Sequence, residues 1–138
     1  MNKKSNKQLA KEIINREIAA LRRTTKLLDS KFERACEAIL SNKGKVITLG
    51  VGKSSFIAMK MAATLSSTGT ASLFLHPLDA LHGDVGVIKK NDVVIIYSNS
   101  GETQEVIKLL PLLKLLKCCI ISITGNLSST LALSLIHI

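Results

Sequence analysis

No apolar run in this sequence approaches the roughly 18 residues that carry a helix across a bilayer. The first dozen residues are polar and lysine-rich, and no apolar stretch of the signal-peptide kind follows them. A cytoplasmic protein without membrane contact is expected. Cysteine is scarce: Cys36, Cys118 and Cys119 fit neither a disulfide framework nor a zinc spacing, and the adjacent pair lies inside an apolar run, so all three read as buried thiols acting as small apolar side chains. Aromatic residues make up only 3% of the chain, which bears on its charge. The net charge of +9 is concentrated at one end, with twelve Lys/Arg against five Asp/Glu in residues 1–45 and seven against five beyond. A basic segment invites a nucleic-acid reading, but no aromatics are interleaved with these lysines and acids alternate with them at helical spacing, so a solvated helix face fits better.

What is present is an ordinary globular composition, 46% apolar and 21% charged over 138 residues, enough for one domain with a real core. From Gln8 to Ser41, Ile14, Ile18, Leu21, Leu28, Phe32, Cys36 and Ile39 recur at spacings of three, four and seven without an intervening Gly or Pro. The pattern predicts one long amphipathic helix, bent near Ser30 and stopped by Asn42–Gly44. Its apolar stripe is longer than a small sheet can cover, so part of it is expected between subunits of a homo-oligomer. Beyond Gly44, β-rich runs at Val46–Val51, Ala71–His76, Val93–Ser98 and Cys119–Thr124 alternate with helical stretches at Ser54–Ser67 and Thr103–Leu116. This is the pattern of an α/β fold, a doubly wound parallel sheet with helices on both faces. Pro111 falls mid-helix, where a kink is expected.

Ligands of such sheets sit beyond the carboxyl ends of the strands, which directs attention to residues 50–55, 76–84 and 98–103. Gly50-Val51-Gly52-Lys53-Ser54-Ser55 leaves a strand and enters a helix, where glycines let backbone N–H groups approach an anion. It is not a Walker A loop, which needs a glycine where Ile47 stands. Nor is it a dinucleotide fingerprint, which needs a third glycine at Ser55 and an acid where His76-Pro77 is found. Lys53 is either a surface lysine or a functional cation. A lysine at a helix N-terminus is electrostatically unfavourable, so a compensating role is worth proposing. Ser98-Asn99-Ser100-Gly101-Glu102-Thr103 offers three hydroxyls and a flexible glycine at another helix start. It reads equally as a phosphate cradle or as an ordinary cap, with Thr103 as the N-cap and Glu102 or Glu105 complementing the helix dipole. His76 and His82, six apart with Asp79 and Asp84 nearby, lack the further ligand a metal site needs and suit hydrogen bonding or substrate contact better.

Taken in order and without gaps, Gly50-x-Gly52-Lys53-Ser54, Ser66-Ser67-Thr68-Gly69-Thr70, His76-Pro77, His82-Gly83-Asp84 and Ser98-Asn99-Ser100-Gly101-Glu102 resemble the arabinose-5-phosphate isomerase family of SIS (sugar isomerase) domain proteins. The resemblance runs from about Glu33 to Leu131. It divides the chain into an N-terminal helix at 1–44, an incomplete SIS domain of flavodoxin-like type at 45–131, and a tail, 132–138, that does not track the family. It implies interconversion of ribulose 5-phosphate and arabinose 5-phosphate for the Kdo sugar of lipopolysaccharide or capsule, with no redox cofactor and a homotetrameric assembly. By position, Lys53 and Glu105 match catalytic residues. Ser54, Gly69, Thr70, His76, His82, Ser98, Ser100, Glu102 and Thr103 match the substrate-binding and phosphate-binding set, and His76 also matches an inhibitory zinc contact. Ser55 and Phe56 depart from the Gly and His common in relatives. The resemblance further implies a fifth strand, a later Glu, a His from a neighbouring subunit and a pair of CBS domains, none of which stands in this chain. The chain is therefore expected to be a truncated product, better at binding than at turnover. The alternative to an isomerase is a non-catalytic SIS module that senses sugar phosphates. A DNA-binding regulator of that kind would show two short helices joined by a tight turn where one long helix is expected here.

Overall fold

The computed structural model describes residues 4–134, and the chain divides into two compact units between Glu33 and Arg34. Most of the tail set apart above, residues 135–138, lies outside the described residues. In the first unit, helix α1 (Asn6–Thr24) opens on a capping box, in which Ser5 Oγ accepts from Gln8 N and the Gln8 side chain accepts from Ser5 N. The single long helix expected from the periodicity is in fact two. A 3-10 turn at Thr25–Leu27 follows α1, Leu28 is extended, and α2 (Ser30–Leu40) begins afresh. The cause is local cap chemistry: Asp29 Oδ1 accepts from Lys31 N at 2.9 Å and Phe32 N at 3.4 Å, satisfying donors that a continuous helix would have used otherwise. The apolar period runs through the break undisturbed, so periodicity alone could not reveal it.

In the second unit, strands β1 (Val46–Gly50), β2 (Ser72–Phe74), β3 (Val93–Tyr97) and β4 (Cys119–Ile123) form one sheet of order β2-β1-β3-β4, and every pairing is parallel. All four lie within their predicted runs. Helices α3 (Lys53–Ser67) and α5 (Gln104–Leu116) are the two predicted crossovers, and α5 continues past Pro111, which has no N–H to give to the helix. The helices α4 (Pro77–Leu81) and α6 (Thr130–Ser134) lie where the sequence pattern shows no helical period, because five residues are too few to express one.

Alternation along the strands sorts the core into two layers. Ile47, Leu49, Val94, Ile96 and Ile120 face Val106, Leu109 and Leu113 of α5, all buried. Val46, Val93, Ile95 and Ile121 face Ala35, Ala38 and Ile39 of α2 and Met61 and Leu65 of α3. Helices thus cover both faces, as the doubly wound reading requires. Each fully buried aliphatic side chain stabilises the domain by about 1.5–3 kcal/mol. The cysteines are free but only half-buried, and burial pushes the Cys118 and Cys119 thiols above their ordinary range.

At the amino ends of β1 and β3, the buried Asp92 carboxylate ties the sheet together. It accepts from Lys45 N at 2.9 Å, Lys89 N at 2.7 Å and Lys45 Nζ at 2.7 Å. Burial alone would raise its pKa, but the Lys45 side-chain bond, the two backbone N–H bonds and the Lys45 charge together hold it below its ordinary 3.8. A carboxylate with a depressed folded pKa contributes stability that is present above its unfolded pKa and is lost as pH falls through the folded one. Asp92→Ala, which orphans two N–H groups and a partly buried ammonium, is expected to cost about 3 kcal/mol at pH 7. Urea unfolding at pH 7 and pH 3 checks it, with the gap between wild type and variant narrowing at pH 3; an equal gap at both would rule out the charged carboxylate as its source.

Candidate functional site

The strand order reverses direction between β1 and β3, and there the chain leaves the carboxyl ends of paired strands toward opposite faces, into α3 and α5. Gly50, the last residue of β1, lies so close to the first turn of α3 that an added Cβ would meet Ser54 O at 2.7 Å. Gly52 then turns the chain with φ +59°, and Ser55, buried, donates its hydroxyl to Gly52 O at 2.6 Å. The serine that departs from the family pattern therefore holds the loop by a hydrogen bond. Lys53 stands exposed at the start of α3, with Ser54 beside it half-buried.

The segment after β3 resolves the choice between cap and cradle in its own way. Thr103 occupies the N-cap position of α5, yet its hydroxyl makes no capping bond and pairs instead with Ser98 Oγ at 2.8 Å. Among the described residues, the N–H groups of Gln104, Glu105 and Val106 have no protein acceptor. These donors at the positive end of a helix, with the Ser98, Ser100 and Thr103 hydroxyls beside them, suit an anion. Gly101, at φ +68°, makes the turn and donates its N–H to Ser98 O and Ser98 Oγ, both at 3.1 Å. Ser98, Asn99 and Tyr97 line a cavity of about 270 Å³ together with Ser54, Ile57, Ile123, Thr124 and Gly125. Ser54 and the Ser98 loop, separate in sequence, thus open on one space.

The remaining expected residues divide. His76 caps the N-terminus of α4, its Nδ1 accepting from Leu78 N at 3.2 Å and its ring meeting Phe74 edge-on, so only Nε2 is left for a ligand. His82 stands exposed at the other end of α4, a helix that packs against α5, whose first turn carries the half-buried Glu105. Among the described residues no three His, Cys, Asp or Glu come together to hold a metal ion, and the zinc contact implied for His76 enters no step below. Gly69 and Thr70 are not brought to this end of the sheet. They form the turn between α3 and β2, next to Ala71, whose carbonyl accepts from Val46 N at the start of β1, whereas Lys53 lies past its end. A five-residue strand, roughly 15 Å at about 3.3 Å per residue, separates the two places. Glu102, matched above to substrate contact, accepts on Oε1 from Thr130 N at 2.6 Å. Sequence reasoning passed over the segment that receives it, residues 124–131, although its Gly125-Asn126 and Ser128-Ser129-Thr130 cluster is a turn signal following a strand.

Residues 39–138 match the sequence family described as the SIS domain. The chain is 54% identical over 101 residues to arabinose 5-phosphate isomerase KdsD of Pseudomonas aeruginosa, covering 73% of this chain and 31% of that protein. It is 50% identical over 126 residues to the KdsD of Francisella tularensis, covering 89% and 38%. It therefore spans about a third of the length of these curated relatives. Among solved structures, c3406 of Escherichia coli CFT073 in complex with arabinose 5-phosphate superposes with a TM-score of 0.82 at 42% identity, over 97% of this chain and 73% of that one. The sugar isomerase domain of an RpiR transcription factor from Sphaerobacter thermophilus shares the fold, with a TM-score of 0.77 at 21% identity.

Proposed function

Because the chain belongs to the SIS domain family, we propose that it serves a sugar-phosphate aldose–ketose isomerase acting between arabinose 5-phosphate and ribulose 5-phosphate. The observation that carries the proposal is the meeting of Ser54 with Ser98 and Asn99 at one cavity, with the cation Lys53 next to Ser54 in the first turn of α3 and the carboxylate of Glu105 in the first turn of α5. In this reading the phosphate takes the free N–H groups at the start of α5 and the hydroxyls of Ser54, Ser98, Ser100 and Thr103. That leaves the sugar's C1–C2 end for Lys53, Glu105 and the histidines of α4.

Isomerisation removes the C2 hydrogen of the aldose as a proton and moves its electron pair into a C1–C2 double bond while the C1 carbonyl π pair shifts onto O1; the O2 hydroxyl proton then passes to O1, the double-bond pair takes a proton at C1, and O2 becomes the ketone. Glu105 is assigned as the base and Lys53 as the cation that stabilises the developing enediolate oxygen. The electrons stay within one substrate molecule and the proton passes through the base, so the chemistry calls for no redox cofactor. A cytoplasmic homo-oligomer feeding Kdo synthesis is part of the same proposal. Sedimentation checks the assembly, and a folded monomer at micromolar concentration would contradict it. For the activity, ribulose 5-phosphate formation from arabinose 5-phosphate is measured with this chain and with one extended to the relatives' length. Product from neither would overturn the proposal.

Ser100→Ala is expected to raise KM about tenfold with kcat little changed, since a hydroxyl on the non-reacting phosphate binds ground and transition states alike. A fall in kcat at constant KM would place Ser100 at the reacting carbons instead.

A further inference from the structure

Beyond its internal bonds, the phosphate loop is also held by the segment after β4. Ser98 N donates to Ile123 O at 3.1 Å, Gly125 N to Asn99 O at 3.0 Å, Thr124 Oγ1 to the same carbonyl at 3.3 Å, and Leu131 N to Gly101 O at 3.1 Å. Beneath the loop lies Ser129, fully buried and pressed against Gly101, and Leu131 next to it is anchored in the core. One side-chain bond joins this set across 28 residues, from Thr130 N to Glu102 Oε1 at 2.6 Å. A free carboxylate in an anion-binding loop would repel a phosphate. Here that charge faces a backbone donor at the start of α6, while Glu102 N donates to Ser100 Oγ at 3.2 Å and orients that hydroxyl.

We infer that Glu102 is a positioning residue and not a substrate ligand: its carboxylate latches the phosphate loop onto the segment after β4, and residues 124–131 belong to the binding machinery through that latch. The inference rests on the sugar-phosphate reading for its ligand but not for its geometry. Removing the acceptor or the donor should then do the same damage. Glu102→Ala removes the acceptor. Thr130→Pro removes the donor at the first position of α6, where proline suits a helix. Glu102→Gln keeps an oxygen acceptor.

The test is titration calorimetry with arabinose 5-phosphate on the 138-residue chain, together with amide hydrogen exchange without ligand. Glu102→Ala and Thr130→Pro are each expected to weaken binding about tenfold, the double variant no further, and Glu102→Gln less than about threefold. Additive losses, or Gln as damaging as Ala, would overturn the inference, since a carboxylate that touches the ligand is not replaced by an amide. Exchange keeps this separable from the isomerase reading. Even if the wild-type chain binds no arabinose 5-phosphate, Glu102→Ala must speed exchange at Thr130, Gly101 and Leu131 while Glu102→Gln does not. Unchanged protection in Glu102→Ala sinks the latch whatever the ligand.

Discussion

Glu105→Gln is expected to lower conversion of arabinose 5-phosphate by about 100- to 10,000-fold, the range a positioned base contributes, without measurable loss of stability. The side chain is half-buried in the first turn of α5 and makes no hydrogen bond among the described residues, so an isosteric amide disturbs no packing. Lys53→Met should show a comparable loss for a different reason, the removal of charge from the enediolate oxygen. Hydrogen exchange at C2 separates the two. In deuterated solvent the Glu105 variant should fail to exchange the C2 hydrogen at all, whereas the Lys53 variant should exchange it slowly in step with turnover. If Lys53→Met abolishes exchange and Glu105→Gln only slows it, the assignment of base and cation is reversed.

Gly101→Val is expected to have the largest effect on the fold and the site together. The residue sits at φ +68°, where a β-branched side chain is strained by a few kcal/mol, and its added atoms would overlap the buried Ser129 side chain. Relieving that overlap means lifting the loop from residues 124–131 and breaking the Leu131–Gly101 bond. A destabilisation of about 3 kcal/mol or more, seen as a melting temperature lower by roughly 10 °C, should accompany loss of detectable phosphate binding. Gly86→Ala is the control, since a Cβ there meets nothing within 4 Å and its φ needs no glycine. Thermal melts with and without arabinose 5-phosphate measure both effects, and a Gly101→Val chain that melts and binds like wild type would show that the loop is not held from below.

Much of this protein could be read along the chain because the signals are local. β1, β3 and β4 are short runs rich in Val and Ile, the composition that strands of a parallel sheet covered on both faces favour. The parallel order followed from the strand–helix alternation, since a crossover helix needs a parallel partner strand. The loops of the site were legible for a related reason: glycine and hydroxyl residues between a strand and a helix expose backbone donors whatever the rest of the fold does. The division of the N-terminal helix was legible only as a bend near Ser30, where α2 begins; the full break was not, because the apolar period at Leu21, Leu28 and Phe32 continues across it while Asp29 makes it through a single side chain.

The sequence by itself therefore determined the sheet, its crossovers, and which loops face a ligand, because each depends on residues near one another in the chain. Only the tertiary structure decided which of those residues act together. It brought Ser54 to Ser98, left Gly69 and Thr70 at the far edge of the sheet, freed the Thr103 hydroxyl from capping, and turned Glu102 toward Thr130. The physical reason is that a hydrogen-bonding side chain takes the nearest unsatisfied partner in space, and the parallel register that places residue 130 beside residue 102 is set by burial of the apolar faces of β3 and β4, not by anything within reach of Glu102 along the chain.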